Sequence, residues 1–178
     1  FVGRTADITK YDRVLKPVFC SEEAEQCPFV LIHGEPGTGK SHLALRQLVL
    51  FQNSNSNYLH VPVYCHLIQG RGKQVVRDGL HKMGLLLASQ KLIEYDDAAS
   101  VDNILLVLKF FLKGHRFVII ADDVDMDAMI ELLCHVPKSA EPCALVVTTQ
   151  FGGEIKSFLA KQTLPAQLSL TRDLQFQH

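Results

Sequence analysis

Apolar residues recur along the chain in two rhythms. The first is a compact run bounded by polar or glycine-rich residues: Phe29 to Ile32, Phe117 to Ala121, and Ala144 to Thr148. Uninterrupted runs of this length predict strands buried on both faces, as in a parallel sheet. The valine-rich Tyr58 to His66 predicts a further strand and Gln167 to Thr171 a fifth. The second rhythm steps by three and four residues. Ile8, Tyr11, Val14 and Leu15 predict a helix from Thr5 to Leu15, with Asp7 in its first turn and Pro17 after its end. A second helix is expected over Lys40 to Phe51, followed by a polar loop from Gln52 to Asn57. Val75, Val76, Leu80, Met83, Leu86 and Leu87 predict a long amphipathic helix over Lys73 to Leu92, weakened at Gly79 and Gly84. Ser100 or Asp102 caps another through Lys113, closed by Gly114. Met126 to His135, stopped by Pro137, and Glu154 to Lys161 complete the set. Strands alternating with helices specify an α/β fold with three layers, a mainly parallel five-stranded sheet flanked by helices.

Composition narrows the class. A chain of 178 residues fits one domain and buries about 70% of its unfolded surface without help from metals or disulfides. Residues 1–28 read as a lead-in with its helix and 29–178 as the core. With 47% hydrophobic residues, 21% charged residues and a net charge of −1, nothing marks a nucleic-acid-binding tail or disorder. A nucleic-acid partner is therefore not expected. Apolar runs fall far short of the roughly 20 residues that span a bilayer, so the expectation is a cytoplasmic protein without a membrane partner. Cysteines 20, 27, 65, 134 and 143 form an odd set without a CxxC pair, which argues against a disulfide framework and a zinc ribbon. The chain starts at Phe1 without a signal segment and is expected to be a piece of a longer multidomain protein, whose flanking domains carry its protein partners.

The candidate chemistry begins where the first apolar strand breaks into glycines. The stretch LIHGEPGTGKSHLA contains Gly34-x-x-x-x-Gly39-Lys40-Ser41, the full P-loop pattern, between a strand and a helix. The turn Gly34-Glu35-Pro36-Gly37-Thr38-Gly39 forms the cradle for α and β phosphates with its backbone N–H groups, Pro36 shaping it without one. Lys40 reaches the β and γ phosphates, and the Ser41 hydroxyl ligates Mg²⁺. His42 follows at the positive end of the helix, where the anion sits. His33 reads as a side chain packed at the rim.

A magnesium carboxylate is supplied by RFVIIADDVD, residues 116–125. Alternation along the strand points Asp122 and Asp123 in different directions, which suits two roles. Asp122 holds Mg²⁺ and Asp123 orients or deprotonates the attacking water, with Lys40 as the second catalytic group. Asp125 reads as a helix N-cap without chemistry. The Gly70-Arg71-Gly72-Lys73 stretch reads as a solvated loop and Arg116 as a surface residue.

LIHGEPGTGKSHLA, FVIIADDVD and ALVVTTQ, preceded by Phe1-Val2-Gly3-Arg4, occur in an order that resembles the signal-transduction ATPases called STAND, whose best-known branch is NB-ARC. The resemblance implies a five-stranded sheet in which the strand carrying Asp122 lies beyond the P-loop strand's neighbour. It also implies that Val2 and Arg4 lie near the adenine end of the nucleotide. One departure is chemical: the family places arginine after the paired threonines, where this chain has Gln150 after Thr148-Thr149. Gln150 can hydrogen-bond a phosphate or water but supplies no cation.

These residues lead to one main expectation and two alternatives. The main one is an ATP/ADP and Mg²⁺ switch domain that hydrolyses ATP slowly and can oligomerise with nucleotide. The first alternative is an AAA+ or origin-binding-type ATPase, because GEPGTGKS also occurs there. The second is a scaffold that keeps a nucleotide for stability and never turns it over.

Overall fold

The computed structural model describes residues 5–20, 29–53, 63–94, 100–136, 143–161 and 172–175. In chain order the elements are α1 (Thr5–Cys20), β1 (Phe29–His33), α2 (Lys40–Asn53), β2 (Val63–Gln69), α3 (Lys73–Ser89), α4 (Val101–Lys113), β3 (Arg116–Asp122), α5 (Met126–His135), β4 (Cys143–Thr149), α6 (Gly152–Lys161) and β5 (Arg172–Gln175). The five strands form one sheet in the order β2-β3-β4-β1-β5, and every pairing is parallel. The strand carrying Asp122 thus lies one place beyond β4, the P-loop strand's neighbour, as the resemblance implies.

Both sheet faces are covered, and alternation sorts the strand residues between them. Phe29, Leu31, Ile119, Leu145 and Val147 face one way and pack with residues of α3, α4, α5 and α6, including Leu80, Met83, Leu108 and Leu132. Val30, Ile32, Val118, Ile120 and Val146 face the other way, against Tyr11, Leu15 and Val18 of α1 and Leu43 and Ala44 of α2. β3 and β4 are buried along their whole length, which is why their middles read as unbroken apolar runs; Arg116, expected at the surface, is buried with the rest of β3.

Sequence and structure differ mainly at element ends. α1 does not stop before Pro17 but continues to Cys20. Proline removes one backbone hydrogen bond, and continuing the helix buries Val18 (1% exposed) in the same cluster as Tyr11 and Leu15. β2 runs from Val63 to Gln69, past the expected end at His66, because Leu67 and Ile68 pair with Ile120 and Ala121 of β3. Its expected beginning, residues 58–62, lies outside the described residues. The fifth strand is at Arg172–Gln175, and the stretch expected to form it, 167–171, also lies outside them. α2 extends to Asn53 into the expected loop, and α3 ends at Ser89, short of Leu92. Ser100, not Asp102, caps α4, accepting from the Asn103 N–H.

Candidate functional site

Parallel register brings the ends of four strands to one edge of the sheet. His33 at the end of β1 is level with Thr149 at the end of β4, Ala121 of β3 with Val147 of β4, and Gln69 of β2 with Asp122 of β3. The residues just beyond, Gly34, Gln150, Asp123 and Gly70, therefore line the same carboxyl edge. The P-loop strand and the aspartate strand are separated only by β4, two strand spacings or about 10 Å.

The loop after β1 turns through Gly34 (φ 152°), Gly37 (φ 79°) and Gly39 (φ 83°), conformations that L side chains rarely adopt. Its carbonyls point inward onto its own donors. Lys40 Nζ donates to the Gly34 carbonyl at 2.9 Å and the Glu35 carbonyl at 2.8 Å, and the Thr38 hydroxyl donates to Glu35 at 2.8 Å. Ser41 and the exposed His42 stand in the first turn of α2, whose Leu43 N–H bonds the Gly39 carbonyl at 3.0 Å. Glu35, Pro36 and Gly37 are exposed and Thr38 is buried. This is a turn whose N–H groups and helix start can accept a polyanion.

The loop after β3 is built from longer-range contacts. Asp122 is 4% exposed, and its carboxylate accepts from the Thr148 hydroxyl and, at 3.4 Å, from the Gln69 side-chain amide. The Thr148 hydroxyl also accepts from the Asp123 N–H at 2.9 Å. The Thr149 hydroxyl donates to the Val124 carbonyl at 2.6 Å and accepts from the Phe151 N–H at 2.9 Å. The paired threonines thus fasten the end of β4 to the aspartate loop. Asp123, immediately after Asp122, has φ 59°, a left-handed conformation that costs a non-glycine residue on the order of 1–2 kcal/mol. That turn sends its side chain, 51% exposed, away from Asp122 and onto Arg71, whose Nη2 donates to Oδ1 at 2.9 Å.

Gly34 to His42, Asp122, Asp123 and Gln150 share the carboxyl edge, whereas Val2 and Arg4 lie outside the described residues. Asp125 caps α5 as expected, accepting from the Ala128 N–H at 2.9 Å, and it also accepts from the Gly72 N–H at 3.0 Å.

A family profile described as the AAA ATPase domain matches residues 1–147. The chain belongs to the AAA ATPase domain family. No curated protein is matched by sequence. Among solved structures this AAA domain is similar to Cdc6p from Pyrobaculum aerophilum (15% identity, TM-score 0.56, covering 98% of this chain and 45% of that one). It is similar to the Orc1 protein of Aeropyrum pernix in complex with DNA (21%, 0.57, 98% and 45%). It is also similar to the ORC2 protein of the same organism in ADPNP–ADP complexes (12%, 0.54, 99% and 48%). The chain spans less than half the length of these structures. They share its fold, and the family match takes the STAND resemblance back to the broader AAA ATPase class.

Within the AAA domain, the site's donor set fits a magnesium ion: a buried carboxylate held by two neutral donors at Asp122 and a hydroxyl at Ser41, both hard oxygen ligands. When bound, Mg²⁺ supplies charge for the phosphate oxygens. The sequence reading missed Gln69 and the two threonines as supports, and it placed Arg71 in a solvated loop. Arg71 instead contacts Asp123 and Gln150, and its guanidinium carbon lies 5.2 Å from the centroid of the Phe151 ring. The available signal was a lone cation between two glycines directly after a strand.

Close packing sets the β4–α6 turn. A Cβ on Gly152 would lie 2.4 Å from the His33 ring, so glycine lets α6 begin directly over the strand that feeds the P-loop.

Proposed function

We propose that this AAA domain binds Mg-ATP at the carboxyl edge of its sheet and hydrolyses it slowly, as a switch rather than a motor. The observation that supports this most is the shared edge itself: a phosphate loop after β1 and two differently oriented aspartates at the end of β3, two strands apart. Lys40 exchanges its loop carbonyls for phosphate oxygens. Ser41 and Asp122 hold the ion, while Asp123 positions water and accepts its proton. Thr148 fixes both aspartates, holding one by its side chain and the other by its backbone. Slow turnover is the expectation because Gln150, at the end of β4, carries no charge to stabilise the transition state. Calorimetry with ATP and ADP in Mg²⁺ tests the proposal. Saturable binding that Lys40→Ala abolishes supports it; heats identical for the parent and Lys40→Ala contradict it.

For the finer assignment we take the origin-recognition type, on the three similar structures, one of them in complex with DNA. DNA contact then falls to parts of the protein outside this nearly neutral domain. A signal-transduction switch is the second reading, favoured by the Asp122-Asp123 pair and by Thr148-Thr149 closing β4. ATP-dependent binding of duplex DNA by the longer protein supports the first reading, and its absence favours the second.

A further inference from the structure

We infer that Arg71 supplies the cation that recognises the terminal phosphate, so that this site tells ATP from ADP through a residue on the β2–α3 loop. The inference rests on the proposal that Mg-ATP occupies the P-loop. Arg71 starts from β2, three strands away from β1. Its side chain nevertheless crosses β3: it donates to Asp123 Oδ1 beyond the end of β3 and reaches Gln150 beyond the end of β4. With the Gln150 amide turned so that its oxygen faces the guanidinium, that oxygen lies against both terminal nitrogens of Arg71. The charge therefore lies between the ends of β3 and β4, and β4 is the strand next to the P-loop strand. Lys40 serves the near side of a triphosphate held there, and Arg71 faces the far side, where ATP and ADP differ.

The loop is constructed to hold the residue while leaving its charge free to change acceptors. Gly70 N–H bonds the Asp122 carbonyl at 2.9 Å and Gly72 N–H bonds Asp125 Oδ1 at 3.0 Å, so the backbone on both sides of Arg71 is tied to the aspartate loop. The side chain itself is 43% exposed, and an ion pair this exposed is weak. A terminal phosphate offers a planar guanidinium a bidentate set of oxygens that a single carboxylate oxygen does not. The Phe151 ring supports the cation by its π face as its acceptors change. Asp123, its ion pair with Arg71 given up to the phosphate, is then released to face water.

The test is the ratio of ATP to ADP affinity, measured by calorimetry in Mg²⁺ on the whole chain. Arg71→Ala is expected to weaken ATP at least tenfold while ADP stays within twofold, with an unchanged melting curve. Arg71→Ala combined with Gln150→Arg, which returns a cation from the end of β4, is expected to restore most of the preference for ATP. A role limited to stapling the loop would not be rescued by this relocation. The assignment is overturned if Arg71→Ala weakens both nucleotides equally or neither, or if the relocated arginine binds ATP no better than Arg71→Ala alone. Lys40→Ala keeps the two levels apart: if it leaves ATP and ADP affinities intact, the proposed site has failed, whatever Arg71 does.

Discussion

The two loops that meet at the carboxyl edge of the sheet are held by opposite means. The loop after β1 is self-contained, its shape coming from three glycines with positive φ and from Lys40 and Thr38 donating to carbonyls five or six residues away or fewer. The loop after β3 borrows its shape from elsewhere in the chain: Thr148 and Thr149 lie about 25 residues away, and Gln69, Arg71 and Gly72 more than 50. It also contains a strained aspartate where the first loop has glycine. A loop shaped by its own glycines needs little from the rest of the chain, whereas two adjacent carboxylates that face different ways need neighbours that force the separation.

Three substitutions separate the two modes. The largest expected effect is on turnover. Asp123→Asn keeps a residue that tolerates positive φ and loses only an exposed ion pair, so folding changes by less than about 1 kcal/mol. Steady-state phosphate release should nevertheless fall by about a hundredfold or more, the usual contribution of a positioned proton acceptor. Next comes Lys40→Ala. Among the described residues its ammonium contacts only its own loop, so the melting curve holds while nucleotide affinity falls on the order of a hundredfold, the loss of charge-assisted hydrogen bonds to phosphate.

The borrowed loop should respond in the other direction. Thr148→Val leaves a buried carboxylate short of a donor and the Asp123 N–H without its acceptor, a cost of about 1–3 kcal/mol. At about 2–4 °C per kcal/mol for a chain of this size, the shift is clear in a thermal scan. ADP binding, which leans on the first loop, should change little.

That contrast also explains what could be read in advance. The P-loop and its helix were legible because every determinant lies within a few residues. The strands β3 and β4 were legible because burial on both faces leaves an unbroken apolar record. Arg71 and Gln69 were not, because their roles depend on which strand lies next to β3, and no local pattern encodes strand order. The same holds for Pro17: its surroundings, not its identity, decide that α1 continues.

The smallest effect is a control away from the edge. Burial lowers the pKa of His66 from 6.5, opposed by its 2.8 Å hydrogen bond to the Gly79 carbonyl and aided by the Lys82 charge. The folded state therefore resists a proton that the unfolded chain accepts, so stability is full above about pH 6.5 and falls as the pH drops through that value. Melting temperatures at pH 7.5 and 5.5 should differ in the parent and differ less in His66→Gln, with both loops unaffected.

The most direct measurement compares ATP affinity in Mg²⁺ and in EDTA for the parent and for Asp122→Asn. Convergence of the two loops on one metal–triphosphate predicts tighter binding with Mg²⁺ in the parent, and a variant that keeps its EDTA affinity and loses most of the Mg²⁺ gain. An undiminished Mg²⁺ gain in Asp122→Asn would contradict the account, because the ion would then be held without the carboxylate that β3 carries to this edge.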